Sequence, residues 1–385
     1  MVGGFQRFES SVHAGAGAPF ARTAEERGSA TAVADAVIVS SDSHWSLSED
    51  IFYQRFPAHL RDRAPRLVTV DGVGDWLVNG KSFLMGPLRQ IAKEFEAVPG
   101  CLDLDARLRD LDTEGIDKEI VFPNGLAGFY GFPDLEVREW VARTYNQYLS
   151  EMQLRAPGRF YGVGQINFWD QSKTRESLAE LKALGIKTFV IPQSPYGADM
   201  QPLNYCDPAM DYLWAAIEEA GLPFCFHVGE GFMDGGPGGV GTYAMVGFSP
   251  YRKIFAQLVF GGILDRFPGL RVVFVEGDIN WVPGALQTGD MIFNTYRSTL
   301  NPLIEHHPAY YWETNCYATF MTDPAGLRLI DQIGADTVMW CSDYPHPESV
   351  YGAGWSSRQE VIAAVSEEDA RKILGETALS LFALQ

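Results

Sequence analysis

The sequence predicts an α/β fold, a (β/α)8 TIM barrel, on three observations. Eight short apolar runs alternate with helical patterns along the chain. Most of those runs are β-branched or aromatic and bounded by Gly, Pro, Asn or Asp, which suits parallel strands buried on both faces. Four of the runs end in side chains that bind metals. Such a barrel builds its site from the C-terminal ends of its strands in this way.

The first strand is predicted over Ala36–Ser41 and runs into Asp42-Ser43-His44. Residues 45 to 100 form an insertion carrying Trp45, Trp76, Phe83 and Met85. Leu102–Asp112 has leucine at 102, 104, 108 and 111, the spacing of a helix, and precedes the second strand, Lys118–Phe122. Leu135–Arg155 places Val137, Val141, Tyr145, Tyr148 and Met152 three or four apart and leads to the third strand, Phe160–Asn167. A helix over Glu176–Leu184 precedes the fourth strand, Lys187–Pro192, and one over Met210–Ala220 precedes the fifth, Pro223–His227. A mobile glycine-rich loop, 228 to 251, opens a second insertion. Beyond it come a helix over Arg252–Phe267, strands at Arg271–Glu276 and Tyr311–Phe320, a helix over Pro324–Ile333, a strand at Thr337–Ser342 and a closing helix over Ser366–Leu384. Spacing alone also admits an open doubly wound sheet, but eight strands favour closure. Residues 1 to 35, rich in Gly, Ala, Ser and Thr, read as a flexible N-terminal extension to a barrel over 36 to 385.

Composition narrows the function. Forty-nine acidic against thirty basic residues give a net charge of −19, a field that repels a phosphate backbone, so nucleic acid is excluded as a partner. No apolar run reaches the eighteen or so residues that span a bilayer, so no membrane partner is expected. No GxGxxG follows the first strand, and the glycine-rich loop lacks a Gly-Lys-Ser/Thr ending; dinucleotide and phosphate-loop chemistry lose their usual argument. Five cysteines, with no CxxC pair, suggest neither a disulfide framework nor a zinc ribbon and point to the cytoplasm. The expected partner is a small-molecule substrate, and a homodimer is the assembly often found for barrels of this class.

The strand ends carry the chemistry. Asp42 and His44 are two apart, so on a strand both point the same way. His227 closes Phe-Cys-Phe-His, Glu276 closes Val-Val-Phe-Val-Glu, and Asp343 with His346 follows Met-Trp-Cys-Ser. Each has an ordinary structural alternative: a turn or cap for Asp42, a satisfied core histidine for His227, salt bridges for the carboxylates. A bare carboxylate at the end of a buried strand is expensive, however, which favours a metal. Three carboxylates and three imidazoles suit Zn, Mn or Fe(II), and suffice for one ion with spare acid–base groups or for two.

On these residues the chain resembles the amidohydrolase superfamily, in the branch containing aminocarboxymuconate semialdehyde decarboxylase and γ-resorcylate decarboxylase. The resemblance runs from about Val37 to the C-terminus. It is carried by Asp-Ser-His (42–44), Leu-Asp-Thr-Glu-Gly-Ile-Asp (111–117), Tyr-Asn-Gln-Tyr (145–148), Phe-His-Val-Gly (226–229), Glu-Gly-Asp-Ile-Asn-Trp-Val-Pro (276–283) and Ser-Asp-Tyr-Pro-His (342–346). It implies metal ligands at Asp42, His44, His227 and Asp343. Glu276 stands where many members have histidine. The bridging residue some dinuclear members carry on the fourth strand has no match, Gln193 being the nearest polar group.

Two enzymatic readings follow. In the first, one divalent ion serves hydrolysis or nonoxidative decarboxylation of a carboxylated or carbonyl-containing small molecule. Asp343 or His346 would then be general base, and Glu276 would orient water or hold substrate. In the second, two irons held by Asp42, His44, His227, Glu276, Asp343 and His346 make a nonheme monooxygenase for a bulky apolar, for instance diterpenoid-derived, substrate, a chemistry the resemblance also admits. A scaffold that has lost its chemistry is the third class; the full ligand set argues against it.

Overall fold

A computed structural model describes residues 33, 35–47, 49–70, 72–78, 81–82, 92–94, 96–124, 130, 132–230, 236–247 and 251–385. The extension expected over 1 to 35 therefore lies almost wholly outside the described residues, as do Phe83 and Met85.

Twelve strands are described. β1 (Val39–Trp45), β5 (Lys118–Pro123), β6 (Phe160–Gly162) and β7 (Gly164–Gln165) belong to the barrel, with β6 and β7 a single strand interrupted at Val163. β8 (Phe189–Val190), β9 (Phe224–His227), β10 (Val272–Val275), β11 (Cys316–Phe320) and β12 (Val338–Trp340) complete it. All pairings among them are parallel, in the order β12-β11-β10-β9-β8-β7 and β1-β5-β6. Val163 joins the two sheets: its N–H donates to Val121, and the next N–H, of Gly164, donates to Thr188. The other seam is closed by a parallel bridge between Ser43 and Tyr344, with the Asp343 N–H on the Asp42 carbonyl at 3.0 Å and the His44 N–H on the Tyr344 carbonyl at 2.6 Å. Eight staves thus form a ring, as the sequence predicts.

The strands are apolar because both faces are covered. Val272, Val273, Phe274 and Val275 are wholly buried, and Phe274 packs against Phe226, Tyr251, Trp281 and Trp312. Helix Leu135–Arg155 keeps its predicted bounds; Asp134 caps it, and Val137, Val141, Tyr145, Tyr148 and Met152 are on its buried face.

Three expectations are corrected. The run Tyr311–Phe320 is not all strand: Pro308–Asn315 is helical, with Pro at its first turn, and β11 starts only at Cys316. Helices at Trp281–Thr295 and Gly354–Ala364 were not anticipated. The segment 228 to 251, expected as a loop, includes a helix at Gly239–Gly247. The first insertion folds a small antiparallel sheet of β2 (Arg66–Val70), β3 (Val73–Val78) and β4 (Lys81–Ser82). Trp76 and Trp45 are buried, and Trp76 packs on Phe52, so these two aromatics belong to the core and do not line an open pocket. Among the described residues no helix is long and apolar enough to cross a membrane.

Candidate metal centre

β1 delivers two of the candidate ligands. Its pairing with β5 slips by one residue between Ser40 and Ser43, a bulge that takes in Asp42 and re-aims its side chain. The two side chains therefore converge, with His44 Nε2 3.5 Å from Asp42 Oδ1. Ser43 points away and donates to Glu119 Oε2 and the Ile120 carbonyl. Behind it Arg107 and Glu119, both fully buried, form a two-pronged ion pair at 2.6 and 2.8 Å, and Arg107 also donates to the His44 carbonyl at 2.7 Å.

The other strand ends converge on the same point. His227 Nε2 lies 3.5 Å from Asp42 Oδ1 and 3.3 Å from Glu276 Oε2. Asp343 Oδ1 lies 3.2 Å from His44 Nε2 and 3.2 Å from His346 Nδ1. The rings of His44 and His346 stack with centroids 3.8 Å apart. Glu276 and Asp343 both take positive φ, 63° and 55°. Left-handed backbone is uncommon for residues other than glycine and clusters at functional sites. Thr319 Oγ1 accepts the Glu276 N–H, and Asp323 accepts the N–H groups of Ile279 and Asn280 just beyond. Gly277 has no room for a side chain, because a Cβ there would lie 2.3 Å from the Tyr251 ring. That ring's hydroxyl donates to the carbonyls of Phe226 and Val275.

All six sequence-predicted residues thus meet. Asp42, His44, Glu276 and Asp343 are 5% exposed or less, while the side chains of His227 and His346 are 15% and 16% exposed. Their donor atoms fall into two overlapping groups, Asp42–His44–His227–Glu276 and His44–Glu276–Asp343–His346, each within 4.8 Å. Neither oxygen of Asp42, neither oxygen of Asp343, neither nitrogen of His44 nor Nε2 of His227 makes a hydrogen bond. Buried polar atoms are nearly always satisfied, and buried charges are paired or coordinate a metal. This donor set, hard oxygens and imidazoles without thiolate, therefore fits a divalent ion.

Electrostatics without the ion reflect the crowding. Burial pushes the Asp42 carboxyl up to about 6. Burial and the charges of Asp343 and Asp42 push Glu276 well above the carboxylate range. Burial and the neighbouring His346 hold His44 well below the usual imidazole value. Burial opposes the remaining shifts but loses to charge: Asp42 raises His227, Asp343 raises His346 to about 9, and His346 with His44 lowers Asp343.

Several residues escaped the sequence reading. Asn124 Oδ1 lies 2.9 Å from His346 Nε2, while its Nδ2 donates to Ser46. Gln193, noted only as an unmatched position, donates from Nε2 to the His227 carbonyl at 2.6 Å. Glu230 accepts from the N–H groups of Gln193 and Ser194. Arg107, Glu119 and Asp323 had no sequence signal, since only the packing of separate elements brings them to their partners.

Comparison with known proteins follows the same lines. The family model described as Amidohydrolase matches residues 42–384. The chain is similar to the gamma-resorcylate decarboxylase of Rhodococcus jostii, 28% identical over 307 residues, covering 73% of this chain and 87% of that protein. Among solved structures, an amidohydrolase from Mycobacterium avium subsp. paratuberculosis superposes with a TM-score of 0.73 at 18% identity, covering 90% of this chain and 99% of the other. The 5-carboxyvanillate decarboxylase of Novosphingobium aromaticivorans, solved with bound manganese, superposes with a TM-score of 0.69 at 19% identity, covering 94% and 100%. These two likenesses carry the fold. The monooxygenase reading finds no support among these relatives.

Proposed function

This chain belongs to the amidohydrolase family, and from that premise we propose that it is a metal-dependent lyase, working in the cytoplasm on a carboxylated small molecule by nonoxidative decarboxylation. The observation that carries the metal is the set of unpaired buried donors on Asp42, His44, His227 and Asp343. Those four residues would hold one divalent ion, with manganese the first to test. A bound divalent ion supplies Lewis acidity, neutralising a substrate carboxylate and polarising an adjacent oxygen.

Glu276 and His346 then remain for proton handling. Loss of CO2 leaves an electron pair on the substrate carbon, which must take up a proton. His346 is assigned that delivery: Asn124 fixes one ring nitrogen, and its side chain is partly open to solvent. Glu276, at 3.3 Å from His227, orients the reacting group or a water. Hydrolysis would use the same residues, with His346 or Asp343 as base toward water.

A second reading has one specific observation in its favour: the donors divide into two overlapping groups of four, enough to share two ions. Elemental analysis with metal-per-chain stoichiometry, followed by CO2 release from hydroxybenzoate-type acids under nitrogen, tests both. One manganese or zinc per chain and anaerobic CO2 release are expected. Two irons per chain, with turnover only in the presence of O2 and a reductant, would overturn the lyase reading.

A further inference from the structure

β8 is only two residues long, and its ladder to β9 gives out early. Phe189 and Val190 pair with Phe224 and Cys225, and the last backbone bond across this edge runs from the Ile191 N–H to the Cys225 carbonyl at 3.1 Å. His227 lies two residues further on. On its other edge it is still paired, with Val275 of β10. On the β8 side, side chains take over from the ladder. Gln193 Nε2 donates to the His227 carbonyl at 2.6 Å. Both oxygens of Glu230 accept the Gln193 N–H at 2.8 Å, and Oε2 also accepts the Ser194 N–H at 3.1 Å. The His227 ring is oriented by its own backbone, with Nδ1 2.9 Å from the Val228 carbonyl. In the neutral ring that contact puts the proton on Nδ1 and leaves Nε2 as the lone-pair donor facing Asp42 and Glu276. A ring fixed this way is placed only as well as residues 227 and 228 are.

We infer that Gln193 and Glu230 are positioning residues for His227, a side-chain clamp that replaces the missing ladder between the fourth and fifth barrel strands and thereby aims Nε2. The inference rests on the reading of His227 as a metal ligand. It also gives the fourth strand a role here. Gln193 stands near the position where some dinuclear relatives bring a bridging ligand, and in this chain it turns to its neighbour's backbone. Glu230 adds a second link, because it stands where the glycine-rich segment begins and ties that segment's base to the loop after β8.

The test uses the full-length, metal-free protein titrated with Mn(II), followed by calorimetry and by the electron paramagnetic resonance signal of the free ion. Outer-shell partners are worth about 10- to 100-fold in metal affinity. Gln193→Met, which keeps the side chain's length and removes its donor, is expected to weaken Mn(II) binding by about 10-fold. Glu230→Ala should lose about 10- to 100-fold, with Glu230→Gln between it and the native chain. The melting temperature of the metal-free Gln193→Met protein should stay within a few degrees of native, which loop anchoring alone would not combine with weaker binding. Native affinity in both Gln193→Met and Glu230→Gln, alongside a His227→Ala variant that has lost the ion, overturns the clamp. A His227→Ala variant that binds Mn(II) as the native chain does overturns the ligand assignment itself. Should Glu230→Ala fail to fold, Gln193→Met decides.

Discussion

Two buried charged regions lie within one side chain of each other, and they are built on opposite principles. On the outer side of β1, Arg107 and Glu119 are fully enclosed yet satisfied: two charge-assisted bonds join them, and Arg107 also donates to the carbonyls of His44 and Gly100. On the inner side, Asp42 and Asp343 are as deeply enclosed, and none of their four oxygens has a hydrogen bond. Burial alone therefore says nothing about role. What separates architecture from chemistry here is whether the charge has been answered by the protein or left for something else to answer.

The comparison can be broken most forcefully at Arg107. Replacing it by Ala strands the Glu119 carboxylate in the core and releases the His44 carbonyl. A loss of about 3–5 kcal/mol in urea unfolding is expected. Asp42→Asn on the inner side should do the reverse, costing metal affinity while leaving the metal-free fold no less stable, since it removes one of several crowded carboxylates. If instead Asp42→Asn destabilised the metal-free chain as much as Arg107→Ala does, the inner cluster would be a structural network and the contrast would fail. At Gly277, Ala pushes a methyl into the Tyr251 ring, with an expected cost of about 1–3 kcal/mol and a displaced Glu276. Near-UV circular dichroism of the tyrosine band would report the shift.

The smallest effect concerns pH. In the metal-free chain His346 has a folded value of about 9, above the ordinary imidazole value. A raised value means stability that is complete below the unfolded value, about 6.5, and is lost as pH climbs through about 9. Glu276, also raised, acts in the same direction. Denaturant midpoints of the metal-free protein should fall over that window. A flat profile would mean that His346 does not feel Asp343 as the geometry implies. Mn(II) should flatten it, because a bound cation displaces the same protons.

The inner region was legible in the sequence and the outer one was not, for a physical reason. Asp42, His44, His227, Glu276 and Asp343 each follow an apolar run, and a strand projects whatever comes next to the barrel's mouth, so position along the chain was enough. Arg107 looks like an ordinary polar residue on a leucine-spaced helix, and Glu119 like the solvent face of a strand. Only the packing of the helix Leu104–Glu114 against β1 and β5 makes them a pair. The same limit hid Asn124, Gln193 and Glu230, whose partners sit on other loops. Other misses were avoidable. Asp71-Gly72 between alternating runs is a hairpin signal, and Pro308 ahead of Ala-Tyr-Tyr-Trp marks a helix start that aromatic content masked.

The closure of the ring has a consequence for the order in which this protein comes to exist. The seam between first and last staves is sewn by the site's own residues, Asp343 to Asp42 and Tyr344 to His44, with Ser40 and Ser342 bonded beside them across 302 positions of chain. A ribosome that has made Asp42, His44, His227 and Glu276 has made most of the donors but only one edge of the seam. Asp343 and His346 join them only once the second edge is made, so the six-residue cluster and the closed ring are completed together.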